Sequence, residues 1–183
     1  MTFNRPPRAR PALDSVTLER LAIDYVSRYA TSRAKLRAYL IRKISERGWT
    51  DGEGGVPRAE EVVDGLVGHF AERGYVDDRA LAEARARSIT ARGYGARRLS
   101  GELHALGIAD VDAAGARIAA DEQAWEAALR FARRRRIGPF AVDAPDETGR
   151  RRAFAAMMRA GHPPGLAQRI VAAAPGDVPS RDD

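Results

Sequence analysis

Apolar residues recur at helical spacing along most of this chain. The first series fits positions i, i+3, i+4, i+7, i+8 and i+11 of an amphipathic helix and consists of Leu18, Leu21, Ala22, Tyr25, Val26 and Tyr29. Thr31 or Ser32 can cap a second helix, which ends at Gly48, and Pro57 fits the first turn of a third helix, which ends at Gly74. No window shows sustained alternation of β-branched residues, so the pattern predicts an all-α fold.

The same signals continue in the second half of the chain. Asp77 and Asp78 can cap a helix that runs to Arg92, and the turn over 93–95 leads into a helix that ends at Gly107. A helix from about Asp110 either continues or kinks into the helix that ends in the arginines of 133–136. After a loop over 138–149, the pattern predicts helices over 151–160 and 163–173.

A basic helix with apolar residues four apart, ending at a glycine, occurs three times. The three copies run from Ser32 to Gly48, from Gly95 to Gly107 and from Arg151 to Gly161. Such a period indicates small helical units that bury a core by packing on each other. We therefore expect an elongated, curved tandem array of three-helix repeats. The predicted segments are a disordered basic arm over 1–14, repeats over 15–75, 76–120 and 121–174, and a disordered tail over 175–183.

Composition narrows the class of protein. Hydrophobic residues make up 44% of the 183 residues and aromatic residues only 7%, so the core is expected to be built from Ala, Leu, Val and Ile. The absence of cysteine excludes disulfides, thiol catalysis and cysteine-bound zinc. No apolar run approaches the roughly 18 residues of a membrane span. We expect a cytoplasmic protein with no membrane partner.

Charge alternates with the repeat. The chain carries a formal charge of +6, and Lys35 and Lys43 are its only lysines, so the basic character comes from arginine. Segments 27–48, 84–107 and 130–152 carry +6, +4 and +5, whereas segments 49–83 and 108–126 carry −6 and −4. If the basic helices line one side of the array, they form a stripe suited to a phosphate backbone. In the alternative, neighbouring basic and acidic helices only pair with each other.

The sequence carries no recognisable catalytic motif. His69, His104 and His162 lie far apart and have no partner at metal-ligand spacing. Neither lysine follows a glycine as a phosphate-binding loop requires, and no nucleophile elbow surrounds the serines or threonines. We therefore predict a binding protein with no catalytic residue, cofactor or metal.

Short motifs in a particular order resemble the RecX family of recombinase regulators. They are Phe70-Ala71-Glu72-Arg73-Gly74-Tyr75-Val76-Asp77-Asp78, Leu81-Ala82, Arg87-Ser88, Gly95-Ala96-Arg97-Arg98-Leu99, Glu102-Leu103 and Gly107. The resemblance extends from about Leu18 to Ala173, and it departs at Leu81 and Arg85, where the family often has aromatic residues. It implies tandem three-helix repeats that bind the RecA filament on DNA, lie along its groove, and inhibit or tune ATP hydrolysis and strand exchange in recombination, repair and the SOS response.

Basic residues of the three repeats are the candidate contacts to DNA or to the recombinase. They are Arg33, Lys35, Arg37, Arg92, Arg97, Arg98, Arg151 and Arg152. Tyr94 either stacks on a base or partner side chain or only packs the glycine turn. The expected partners are the RecA filament and single- and double-stranded DNA, bound by a monomer. The alternative function is a stand-alone helical DNA-binding protein without a recombinase partner.

Overall fold

A computed structural model describes residues 11–50 and 58–181 of the chain. These residues form nine α-helices and one short 3₁₀ helix, with no strand beyond an isolated bridge, so the predicted all-α class is confirmed. The helices are α1 Ser15–Val26, α2 Arg33–Arg47, α3 Ala59–Glu72, α4 Asp78–Ala91, α5 Ala96–Ala105, α6 Asp110–Glu122, α7 Ala124–Arg135, α8 Glu147–Arg159 and α9 Pro164–Ala172, with the 3₁₀ helix at Gly138–Phe140. None of the helices described is both long enough and apolar enough to cross a membrane.

The chain divides between Asp77 and Asp78 into two compact units. Unit 1 contains α1, α2 and α3, which all lie within the segment 15–75 that was predicted as the first repeat. Its core consists of apolar residues from the three amphipathic helices, among them Leu18, Leu36, Leu40, Val63 and Phe70. Of the two predicted caps of α2, Thr31 and Ser32, it is Ser32 that accepts a hydrogen bond from the Lys35 N–H, at 3.1 Å.

The N-terminal segment of unit 1 corrects the predicted disordered arm. Leu13 is fully buried, and its backbone forms hydrogen bonds with the Gly48 carbonyl at 3.0 Å and the Thr50 N–H at 2.8 Å. Asp14 caps α1 by accepting a hydrogen bond from the Thr17 N–H at 2.7 Å, a contact that lowers the pKa of the aspartate. The arm prediction is therefore wrong for residues 11–14, because one leucine among polar residues reaches the core. Residues 1–10 lie outside the described residues.

Three glycines within residues 50–56 favour a loop before the helix predicted to start at Pro57. Residues 51–57 also lie outside the described part of the chain. At the near end of that segment, Trp49 pairs with Leu13 in an isolated parallel bridge. At its far end, α3 has Glu60 and Glu61 in its first turn, where acidic residues complement the helix dipole.

Unit 2 contains the helices of the second and third predicted repeats. The first of its two hydrophobic clusters joins α4, α5 and α6, and the second joins α7, α8 and α9. Small buried side chains let α4 approach α6 closely, and they are Ala82, Ala86, Ala113, Ala116 and Ala120. Leu81 is buried in the same cluster, so it fills the core position at which the family resemblance departs.

Helix boundaries in the structure differ most from the sequence predictions at three places. Helix α1 ends at Val26 and not at Tyr29, which is 58% exposed. A break at Gln123 separates α6 from α7, so the kink and not the continuous helix is correct. Helix α8 begins four residues before Arg151, because Asp146 accepts a hydrogen bond from the Gly149 N–H at 2.6 Å and caps it there.

The last described segment of unit 2 packs against the rest of the unit without forming a helix. The Gly176 N–H donates to the Pro139 carbonyl at 2.9 Å. The Arg169 guanidinium donates to the carbonyls of Ser180 and Arg181, and it lies 4.8 Å from the centre of the Trp125 ring. The prediction of a disordered tail from 175 is thus wrong as far as Arg181.

A candidate nucleic-acid interface around Tyr94

Two glycine-containing turns meet backbone to backbone within unit 2. The Gly95 N–H donates to the Ala160 carbonyl at 2.9 Å, and the Arg97 N–H donates to the Gly161 carbonyl at 3.3 Å. A Cβ at Gly95 would lie 2.2 Å from the Gly161 carbonyl oxygen. Only glycine allows this approach, which sets the start of α5 against the end of α8.

Tyr94 lies beside this glycine contact and packs against both hydrophobic clusters of unit 2. Its ring centre is 6.2 Å from that of Phe131 on α7. The Arg98 Cζ lies 4.2 Å from the Tyr94 ring centre, a distance at which a cation interacts with an aromatic face. Packing, one of the two alternatives for Tyr94, is therefore present, and the ring also positions Arg98.

Two overlapping groups of arginines lie at the Tyr94 ring and in the groove beside α5. We call this set the Tyr94 cluster; its members are Arg92, Arg97, Arg98, Arg134 and Arg159. Arg92 and Arg134 place their Cζ atoms 5.8 Å and 5.6 Å from the Tyr94 ring centre. Arg97, Arg98 and Arg159 line one open groove between α5 and the end of α8. Arg98 belongs to both groups and so links the arginines at the Tyr94 ring to those of the groove.

Little negative charge neutralises the Tyr94 cluster. Glu102 approaches Arg98 at 3.5 Å, and both side chains are partly exposed. Arg97 is exposed and forms no ion pair with any residue that the structure describes. The Arg134 guanidinium donates to the Arg92 carbonyl, and Arg92 donates to the Ser88 carbonyl at 3.2 Å. Exposed guanidinium groups held in this way can bind phosphate through paired hydrogen bonds.

Sequence reasoning placed Arg92, Arg97 and Arg98 in the candidate site and missed Arg134 and Arg159. The signal for Arg134 was the arginine run over 133–136, which falls at the end of α7. Arg159 carried no such signal, because only the glycine contact brings the end of α8 beside α5.

The structure separates the three candidate residues of unit 1, all of which lie on α2. The Arg37 Nε donates to the Asp64 carboxylate of α3 at 2.6 Å, which raises the pKa of Arg37 and lowers that of Asp64. Lys35 instead lines a cleft shared with α1. Arg33 is exposed in the first turn. Arg37 therefore follows the alternative in which a basic helix forms ion pairs with a neighbouring acidic helix.

The candidate residues of the third repeat lie on α8. The Arg151 Nε donates to the Glu147 carboxylate at 3.1 Å, within the same helix. Arg152 lines a groove with Arg135 and Arg136, and this groove includes no member of the Tyr94 cluster. Arg152 therefore belongs to a second basic surface of unit 2, whereas Arg151 is held by Glu147 and does not line that groove.

A buried histidine supports the Tyr94 cluster from inside. His162 is 1% exposed and follows Gly161 directly, with its ring centre 5.5 Å from that of Phe131. Burial lowers the pKa of His162 to about 4, and the Gly93 backbone only partly opposes this effect. The imidazole is therefore neutral at pH 7 and acts as a packing residue beneath the glycine contact.

Similar proteins were found both by sequence and by structure. No protein-family model matches the sequence. The regulatory protein RecX of Myxococcus xanthus (strain DK1622) is 32% identical over 171 residues, which cover 91% of this chain and 90% of that protein. The fold is similar to the crystal structure of RecX from Lactobacillus salivarius, with a TM-score of 0.61 and 15% identity over 86% of this chain and 94% of that one. The fold is also similar to a crystal structure of regulatory protein RecX, with a TM-score of 0.59 and a sequence identity of 18%. That similarity covers 85% of this chain and 70% of the other.

Proposed function

This chain belongs to the RecX family, and on that premise we propose that it binds the RecA recombinase filament on DNA and inhibits ATP hydrolysis and strand exchange. The observation that carries the proposal is the 32% identity to a regulatory protein RecX over 91% of the chain. The processes affected are recombination, DNA repair and the SOS response.

The charge distribution within each unit supports this proposal. Exposed arginines of the Tyr94 cluster suit DNA phosphates inside a nucleoprotein filament. Acidic residues on other helices, such as Glu60 and Glu61 of α3 and Asp112 of α6, suit contact with protein subunits. A protein that bridges adjacent recombinase subunits hinders the motions that couple ATP turnover to filament growth.

The direct test adds the purified chain to RecA filaments assembled on single-stranded DNA and follows ATP hydrolysis. We expect the rate to fall as the chain is added, because bridged subunits complete fewer hydrolysis cycles. Circular dichroism confirms that the added protein is helical. An unchanged rate at several-fold excess of folded protein over recombinase would contradict the proposal.

Salt distinguishes the proposed function from that of a stand-alone DNA-binding protein. Affinity for bare DNA falls steeply with added salt when several phosphate contacts dominate, by about tenfold or more for a few-fold rise in concentration. Filament binding that includes protein contacts should lose less affinity over the same range. Equal salt dependence for bare DNA and filament would favour the stand-alone alternative.

Charge reversal tests the Tyr94 cluster directly. We expect the double variant R97E/R98E to bind the filament about 10- to 100-fold more weakly, because two cations facing phosphate become anions. Fluorescence anisotropy of labelled filament DNA measures the affinity, and circular dichroism checks helicity.

The matched control for this variant is R79E/R87E, which makes the same charge change on α4. Both arginines are exposed, and Arg87 lines a different groove, between α4 and α6. We expect this control to lose only a small part of the affinity. If both double variants weaken binding equally, net charge and not the Tyr94 cluster governs the interaction.

The ion pair in unit 1 offers a gain-of-binding test for Arg37. Asp64 holds the Arg37 guanidinium at 2.6 Å and competes with any phosphate for it. If Arg37 contacts DNA, D64N should raise the affinity for DNA about two- to fivefold, since the amide carries no charge. The double variant R37Q/D64N should lose the gain. If D64N binds DNA with the same affinity as the wild type, Arg37 does not contact DNA.

A further inference from the structure

Three tyrosines and several cations line a cleft between α1 and α2 in unit 1. The cleft has a volume of about 760 Å³, within the range of ligand-binding sites. The tyrosines are Tyr25, Tyr29 and Tyr39, and the cations are Arg28, Lys35, Arg42 and Lys43. Among these residues, only Lys35 is a contact predicted from the sequence.

The three tyrosines differ in their packing. The rings of Tyr25 and Tyr39 stack at 4.2 Å with an interplanar angle of 16°, and both are half-buried against the core of unit 1. The Tyr29 ring lies 5.3 Å from that of Tyr25, and this residue follows the end of α1. Tyr29 is 58% exposed and does not belong to the core, so packing of unit 1 does not account for it.

The cations of the cleft are only partly neutralised. Arg42 and Lys43 pair with Glu46 at 2.8 Å and 2.7 Å. Arg28 and Lys35, in contrast, form no ion pair with any residue of the described ranges. Asp24 is the carboxylate that lines the cleft. The cleft therefore retains positive charge beside an exposed aromatic ring.

An exposed aromatic ring next to unpaired cations is suited to an unpaired nucleotide. A base stacks on the ring while the cations contact the phosphates on either side of it. The bases of a duplex are already stacked on each other and cannot offer a face to Tyr29. An acidic peptide would satisfy the cations but would leave the tyrosine without a stacking partner.

We infer that this cleft binds single-stranded DNA, with a base stacked on Tyr29 and flanking phosphates held by Arg28 and Lys35. The inference deepens the proposed function, on which it rests for the presence of single-stranded DNA at the filament. It assigns strand recognition to unit 1, separately from the basic surfaces of unit 2.

Replacement of Tyr29 tests the inference without disturbing the core. We expect Y29A to bind a labelled 15-nucleotide oligo(dT) about 5- to 100-fold more weakly, as loss of one stacked base implies, and to bind a duplex unchanged. The matched control is I23A, which truncates an exposed apolar residue of α1 that lies outside the cleft. Fluorescence anisotropy measures all affinities.

An abasic strand with the same number of phosphates separates base recognition from phosphate recognition. We expect the wild-type chain to bind it as weakly as Y29A binds oligo(dT). Equal binding of oligo(dT) by Y29A and wild type, or equal binding of the abasic strand and oligo(dT) by wild type, would overturn the inference. So would a Y29A defect confined to binding RecA free of DNA, because the cleft would then face protein.

Failure of the inference can be told apart from failure of the proposed function. If the wild-type chain inhibits ATP hydrolysis but Y29A binds oligo(dT) normally, the function stands and the cleft assignment falls. If Y29A loses affinity for oligo(dT) but the wild-type chain leaves ATP hydrolysis unchanged, the cleft assignment stands and the function falls.

Discussion

Gly95→Ala is expected to destabilise unit 2 by about 3 kcal/mol or more, because the added Cβ meets backbone and not a movable side chain. It would lie 2.2 Å from the Gly161 carbonyl oxygen and 2.7 Å from the His162 nitrogen, whereas real Cβ atoms essentially never approach within 3.0 Å. Relief requires the start of α5 to move about 1 Å from α8, which breaks the Gly95 hydrogen bond and opens the groove at Arg159. Urea denaturation followed by circular dichroism measures the loss.

Gly101→Ala is the matched control on the same helix. Gly101 is exposed in α5, and a Cβ there has no neighbour within 4 Å. Alanine at this position should stabilise the helix by about 0.5–1 kcal/mol, since glycine is the poorer helix former. The two variants should therefore shift the urea concentration at the midpoint of unfolding in opposite directions. A G95A midpoint equal to or above that of the wild type would show that the close backbone contact is absent in solution.

Acidification is expected to destabilise the chain through His162. Its pKa lies near 6.5 when unfolded and is about 4 in the folded protein. Below pH 6.5 the unfolded chain binds a proton that the folded chain rejects, so stability falls as the pH decreases and levels off only below pH 4. From pH 7.5 to pH 4.5 this one group should remove about 2–3 kcal/mol of stability.

The variant His162→Leu isolates that contribution, because leucine fills similar space and does not titrate. Urea denaturation at pH 7.5 and pH 4.5 gives the change in stability for each protein, and the wild type should lose about 2–3 kcal/mol more than H162L. H104Q, which removes an exposed histidine from α5, should behave like the wild type. If H162L and the wild type lose the same stability, His162 is protonated in the folded protein at the lower pH.

Helical periodicity predicted the fold class and most helices because each helix carries its own apolar stripe. Residues outside such stripes were harder to place. Leu13 lies among prolines and arginines, and only the tertiary contact with Gly48 and Thr50 shows that it is buried. The break between α6 and α7 at Gln123 was also hard to place, because no glycine or proline marks it in the sequence.

The candidate site was predictable in part. The adjacent Arg97 and Arg98 follow a glycine turn, and their exposure could be expected from the helix pattern. Arg159 lies beside them only because the backbones of Gly95 and Gly161 are in contact. These two glycines are 66 positions apart in the sequence, and their contact produces no periodic pattern. Alternating charge could not distinguish paired from exposed arginines, since Arg37 and Arg97 look alike in sequence but differ in their partners.

The two tryptophans of the chain lie in different units. Trp49 pairs with Leu13 in unit 1, and Trp125 packs in unit 2 beneath the Arg169 guanidinium. Their emission therefore provides one intrinsic optical reporter per unit. In a W49F background the remaining fluorescence follows unit 2 alone, and in a W125F background it follows unit 1, so ligand titrations can be assigned to one unit without attaching a dye.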